Sequence, residues 1–193
     1  MELLYSIVAP LASPRQLLAR RPGARPGRVE LQLAPQQAQP EGDAGADEDG
    51  ARRNRLDVAV REVLGAVAKL DNRTRINVIF FHTTIHPWKD KLQKLGSSRK
   101  QLEKELETKK PTGGTNLYDG LELALRTKDV DTIFLLSDGV PGSGKYVATP
   151  DILRAVRREN QTRRVAVHCV SIGMESELLR RLAAENGGRY VRR

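Results

Sequence analysis

A chain of 193 residues with 33 Lys and Arg against 24 Asp and Glu carries a formal net charge of +9 and a pI near 10.0. That length suits one well-cored domain with some chain to spare. The basic balance would fit an anionic partner, but the basic residues are scattered and only 4% of residues are aromatic, so nucleic acid, which needs stacking platforms or a recognition helix, is not the expected ligand.

The first 53 residues differ in kind from the rest. Residues 2 to 9 form a short apolar run whose early charge, Glu2, is negative. That makes a poor signal peptide, and a cytoplasmic location is slightly favoured on that ground. Residues 14 to 26 are dense in Arg, Ala and Pro, and residues 36 to 50 in Gln, Gly and acid. Such segments bury too little apolar surface to offset the entropy of ordering, so residues 1–53 are expected to be a low-complexity, largely disordered segment. Two runs in it have strand character, residues 2 to 9 and Val29-Glu-Leu-Gln-Leu-Ala34. The second alternates apolar and polar residues.

From Asn54 onward the pattern is regular, and residues 54–193 are expected to form the domain. Asn54 can cap a helix with Leu56, Val60, Val63, Leu64 and Val67 on one face, ended by Asp71-Asn72. Arg75 to His82 reads as a buried strand. His86-Pro-Trp88 makes a turn or a short edge strand, since proline cannot donate to a ladder. Ser97 and Ser98, with Gln101, resemble a capping arrangement for a helix to about Glu107. After Lys109-Lys-Pro-Thr-Gly-Gly114 a helix runs from Asn116 to about Arg126. The strand 132 to 137 follows, then a loop rich in Gly and Pro. Thr149-Pro150-Asp151 opens a helix to about Asn160, residues 164 to 172 form a strand, residues 175 to 186 a helix stopped by Gly187-Gly188, and residues 189 to 191 a last short strand. The single cysteine, Cys169, excludes a disulfide framework and, lying inside an apolar strand, is expected to be buried and inert. No stretch approaches the roughly 18 apolar residues that a bilayer span needs.

Strands alternating with helices of these lengths predict an α/β fold: a doubly wound, mostly parallel sheet with helices on both faces. Ligands of such sheets bind outside the carboxyl ends of the strands. Thr115, in the loop entering a helix, and Asp138, directly after the strand 132 to 137, would share that rim. A hydroxyl and a carboxylate suit magnesium, manganese or calcium and are poor donors for softer metals, so the leading hypothesis is a hard-cation site. His82, His86 and His168 read as structural histidines, Asp119 as a local cap or pair, Trp88 as a packing anchor and Ser137 as buried. Thr112-Gly-Gly-Thr115 could also be read as a phosphate loop of a nucleotide-binding enzyme. That reading is disfavoured, because no Walker lysine and hydroxyl follow and no nucleophile is spaced to a base.

Residues 54–193 resemble the von Willebrand factor A domain, in particular its bacterial representatives. The likeness rests on Arg75-Ile-Asn-Val-Ile-Phe-Phe81, Pro111-Thr-Gly-Gly-Thr-Asn-Leu-Tyr-Asp-Gly-Leu121, Phe134-Leu-Leu-Ser-Asp-Gly-Val-Pro141, and the closing Val170-Ser-Ile-Gly173 and Leu182-Ala-Ala-Glu-Asn-Gly-Gly-Arg-Tyr190. It implies that Thr115 matches the threonine and Asp138 the second aspartate of the metal-ion-dependent adhesion site, where the ion is usually magnesium and an acidic residue of a partner protein completes its shell. The family's first, central strand ends in Asp-x-Ser-x-Ser just before the first helix. Here that place holds Asp47-Glu-Asp-Gly-Ala51, with Asp49 and Ala51 where the serines would stand. Asp47 and Asp49 are therefore further metal candidates, and the first central strand is expected to be missing or replaced, by residues 29 to 34 in slight preference to residues 2 to 9. The function implied is a protein-binding module, not an enzyme, with a partial metal site. A metal-free scaffold or a truncated, diverged copy is the alternative.

Overall fold

Long apolar runs pair into one sheet, and the amphipathic segments between them cover it. The computed structural model describes residues 28–33, 60–61, 63–65, 67–108, 114–137 and 140–193. Its strands are β1 (Arg28–Leu33), β2 (Arg75–Phe81), β3 (Ile85–Pro87), β4 (Gln93–Lys94), β5 (Thr132–Ser137), β6 (Ala166–Ser171) and β7 (Tyr190–Arg192). The helices are α1 (Leu95–Thr108), α2 (Leu117–Arg126), α3 (Thr149–Asn160) and α4 (Glu177–Glu185), and the described residues between 60 and 69 are helical as well.

The sheet order is β3-β2-β1-β5-β6-β7, with β4 also beside β2. β1, β2, β5, β6 and β7 are parallel, and β3 and β4 are antiparallel additions on the outer side of β2. β2, β5 and β6 are buried at nearly every position, as strands covered on both faces must be. From β1 the chain winds outward to β2, then crosses back to β5 and on to β6 and β7. Right-handed crossovers to opposite sides of a central strand put helices on both faces, and the molecule has the doubly wound, mostly parallel α/β fold.

The central position expected to be missing or replaced is filled by β1. Val29 stands opposite Ile76 on one side and Thr132 on the other, and the pairing runs to Leu33 against Phe80 and Leu136. The sheet thus reaches upstream of the boundary expected at residues 53 and 54. Residues 29 to 34, slightly preferred for this place, occupy it: the gap between β2 and β5 offers two rows of hydrogen-bonding groups, and an extended segment that reaches it satisfies both. Residues 2 to 9 lie outside the described residues.

Two helix starts differ from expectation. α1 begins at Leu95, before Ser97 and Ser98, because Leu95 is fully buried and backbone carbonyls do the capping: Leu95 N–H donates to Thr74 O and Gly96 N–H to Asn72 O, both at 2.9 Å. Ser97 Oγ instead donates to Lys94 O at 3.0 Å. The cap of α3 is Ala148, which has no side-chain bond, and Thr149 is already helical. Pro150 in the first turn sets this start. α2 is capped by Asn116, the residue at which the helix is expected to begin, and α4 by Ser176.

The core lies between the sheet and its helices. α2 approaches β2 closely at Gly120, where a Cβ would stand 3.0 Å from the Phe81 ring. Leu117, Tyr118, Leu121, Ala124 and Leu125 bury its inner face, matching the i, i+4, i+7, i+8 spacing of an amphipathic helix.

Candidate functional site

The parallel strands β1, β2, β5 and β6 end on one rim, at Leu33, Phe81, Ser137 and Ser171. Thr115 lies there, fully buried, in the short segment entering α2. Asn116 N–H donates to His82 O at 2.8 Å and ties this segment to the end of β2. Gly114 passes so close, at φ +92°, that a Cβ would sit 2.3 Å from Thr83 Oγ1, a place only glycine fills. On the other side, Thr115 O accepts the N–H of Gly142 at 3.1 Å and of Ser143 at 3.4 Å. The chain that leaves β5 after Ser137 therefore returns to Thr115 within a few residues. Of the four expected ligands, Thr115 is placed on the rim, while Asp138, Asp47 and Asp49 lie outside the described residues. β1 ends at Leu33, so Asp47 and Asp49 do not directly follow it in sequence.

A second network, not foreseen in the sequence, clamps the loop after β5 onto α2. Asn116 Oδ1 accepts from Asp119 N–H at 3.3 Å, and its Nδ2 donates to Asp119 Oδ2 at 2.8 Å. Asp119 Oδ1 in turn accepts from Lys145 N–H at 3.2 Å, so Asp119 pairs locally. Lys145 Nζ lies 3.3 Å from Glu122 Oε1 and within 5.8 Å and 5.7 Å of the Tyr118 and Tyr146 ring centroids. Those rings meet edge to face at 4.7 Å, and Tyr118 OH donates to Glu122 at 3.2 Å. Burial, then the Glu122 charge, pushes the Tyr118 phenol up to about 12. The spacing of Asn116 and Asp119 within one first turn is the signal that could have pointed to this cluster.

Ser143 Oγ is the one buried side-chain nitrogen or oxygen among the described residues without a hydrogen-bond partner. Leaving such a hydroxyl unpaired costs about 1–3 kcal/mol, and Ser143 Oγ is therefore a group that a further hydrogen-bonding or oxygen-binding partner would satisfy. A hard cation takes six or more oxygens. Among the described residues no three of His, Cys, Asp and Glu gather to hold one, and the described carboxylate adjoining this corner, Asp119, is engaged with Asn116 and Lys145.

Among the described residues the exposed large hydrophobic side chains are Leu123, Val140, Val147 and Met174, and the last three lie on loops that leave β5 and β6. Elsewhere the conspicuous residues are structural. His168 is buried mid-strand, stacked on Phe134 at 4.8 Å, with Nδ1 accepting from Arg189 N–H at 3.0 Å. Burial, aided by the charge of Arg189, lowers its pKa to about 4. Cys169 is wholly buried, which pushes its thiol well above the ordinary range. Trp88 packs half-buried against the core under Lys89. No helix among the described residues is long and apolar enough to cross a membrane.

Known proteins share this architecture. The von Willebrand factor type A domain model matches residues 48–192. The structure of a conserved hypothetical protein, BatB from Bacteroides thetaiotaomicron, superposes with a TM-score of 0.58 at 19% identity, over 86% of this chain and 90% of that one. An aerotolerance-related membrane protein from Bacteroides fragilis gives 0.56 at 16%, over 86% and 91%. A von Willebrand factor type A protein from Catenulispora acidiphila gives 0.66 at 18%, over 88% of this chain but 39% of that longer one. At these identities the structural likenesses speak to the fold alone. The family match covers β2 through β7 and agrees with the central-strand order and the rim motifs: the chain belongs to the von Willebrand factor type A domain family.

Proposed function

We propose that this chain is a non-enzymatic, protein-binding module that engages its partner at the rim above β5 and β6. The observation that carries the reading is that Val140, Val147 and Met174, three of the four exposed large hydrophobic side chains among the described residues, all lie on loops that leave the carboxyl ends of β5 and β6. Exposed apolar side chains grouped on one surface mark interaction sites. Within this reading Thr115 and Asp138 form a partial metal-ion-dependent adhesion site for Mg2+, with Mn2+ or Ca2+ as substitutes, and an acidic residue of the partner completes the shell. The site is weak. The residues that follow β1 in sequence, Ala34-Pro35-Gln36-Gln37-Ala38, offer neither carboxylate nor hydroxyl where the family's Asp-x-Ser-x-Ser would stand, and a divalent cation holds poorly to so few oxygens against water.

Thermal melting in rising MgCl2 or MnCl2 tests the metal. A cation bound by the folded state alone stabilises it by about 1.4 kcal/mol at ten times its Kd, and Asp138→Ala abolishes that gain. A second reading, the metal-free scaffold, is favoured by the engagement of Asp119, the described carboxylate adjoining the Thr115 corner, with Asn116 and Lys145. It predicts a melting midpoint indifferent to both salts, while Val140→Asp and Met174→Asp still weaken capture of the partner. If neither salt nor those substitutions alter capture, the rim is not the binding surface.

A further inference from the structure

Two of the chain's three histidines meet on the turn from β2 to β3. His82 directly follows β2, and His86 lies in β3 opposite Phe80. Their rings stack with centroids 5.1 Å apart and planes inclined by 29°. Both converge on one atom: Thr84 Oγ1 is 2.7 Å from His86 Nε2, 3.3 Å from His82 Nε2 and 3.4 Å from His82 Nδ1. The backbone that holds them is fixed on three sides. His82 N–H donates to Thr84 O at 3.0 Å, Asn116 N–H donates to His82 O at 2.8 Å, and Ile85 pairs with Phe81.

We propose that His82 and His86 form a two-imidazole site for a borderline divalent cation, of the class of Zn2+, Ni2+ and Cu2+. Neutral imidazole is a nitrogen donor that such ions prefer and that Mg2+ and Ca2+ do not. Two imidazoles held face to face on a rigid turn have their ordering entropy met in advance, and small side-chain rotations about the Thr84 oxygen bring one nitrogen of each ring to the roughly 2.0–2.1 Å of a metal–nitrogen bond. Thr84 N–H donates to His82 Nδ1 at 3.3 Å, and the Thr84 hydroxyl contacts both rings in roles that depend on their tautomers. The cation takes the place that Thr84 Oγ1 now holds between the rings, the threonine side chain turning aside and the imidazoles rotating to present one lone pair each. Among the described residues no third His, Cys, Asp or Glu joins the pair. The site is chemically distinct from the oxygen site at Thr115 and stands or falls separately.

Isothermal titration of the full chain with NiCl2, repeated with ZnCl2, tests this. The expected result is one ion per chain, with binding unaffected by excess MgCl2 and unchanged in Asp138→Ala, and weakened at least about ten-fold in either His82→Ala or His86→Ala. His86 is exposed on an edge strand, so His86→Ala keeps the fold. For His82, which is part of the rim, His82→Gln serves should the alanine variant fail to fold. Nitrogen hyperfine structure from two imidazoles in the electron paramagnetic resonance of the Cu2+ form, reduced to one or none in His86→Ala, is the independent readout. No binding of either ion at millimolar concentration overturns the proposal, as does equal binding by the wild type and the doubly substituted His82→Gln, His86→Ala chain.

Discussion

Gly144 lies so close to Asn116 that a Cβ on it would stand 1.9 Å from Asn116 Oδ1. The oxygen involved is the one that caps α2, and Gly144 itself has φ +100°. The loop after β5 can therefore close on the start of α2 only with glycine at this position. Gly144→Ala is expected to cost about 1–3 kcal/mol from the strained backbone and a further ~1 kcal/mol if the cap is displaced. Urea unfolding checks it through a lower midpoint at unchanged m-value.

Gly188 offers a second close approach, at the opposite end of the sheet. A Cβ there would lie 1.8 Å from the carbonyl oxygen of Val167, and backbone cannot move aside as a flexible side chain can. Gly188 N–H also donates to Ala183 O at 2.9 Å, at the end of α4, and Cys169 N–H to Arg189 O at 2.8 Å. Gly188→Ala should separate β7 from β6 and destabilise the fold by about 2–4 kcal/mol. Hydrogen exchange would report it as lost protection at Cys169 and its neighbours in β6.

His168 makes stability depend on pH. Its folded pKa, about 4, lies below the ordinary 6.5, so between those values the unfolded chain binds a proton that the folded chain refuses. The stabilisation is complete above pH 6.5 and is lost as pH falls toward 4, a total on the order of 3 kcal/mol. His168→Leu should flatten the unfolding free energy over pH 4–6.5, while lowering it by about 1 kcal/mol at neutral pH through the acceptor lost to Arg189 N–H. Denaturant midpoints at a series of pH values measure both effects.

Cys169 should be silent until the protein opens. It is fully buried, and its thiol is held protonated by that burial, so neither access nor thiolate is available to a disulfide reagent. Labelling of the native protein is expected to proceed at the rate of global unfolding and to accelerate with denaturant in parallel with it. Fast labelling in the absence of denaturant would show that β6 opens locally.

Much of this architecture is written in local patterns. β2, β5 and β6 are continuous apolar runs and α2, α3 and α4 carry one-sided apolar spacing, so each stands within two residues of where its pattern places it. The helix starts were harder to read. At Leu95 the capping groups are the carbonyls of Asn72 and Thr74, which the sequence near residue 95 does not contain. β1 was legible as strand-like, and the sequence favours residues 29 to 34 only slightly over residues 2 to 9 for the central place, because that place comes from pairing partners more than forty positions away in sequence, Arg75–Phe81 and Thr132–Ser137. At the rim, Thr115 could be located from its glycines and from the helix after it. Of the clamp of Asn116, Asp119 and Lys145, the spacing of the first two within one turn was a signal, but Lys145 was not, since it joins only when the chain returns from β5.

That β1 sits between β2 and β5 has a consequence for how the molecule comes together. Neither half of the sheet has a finished inner border until a segment encoded far upstream arrives, so assembly must wait on the slow closure of two long loops. The portion that matches the family model begins at residue 48, and a protein produced from there would lack its keystone. Two bare rows of peptide groups would then face each other across an empty slot, inviting strands from neighbouring molecules to fill it.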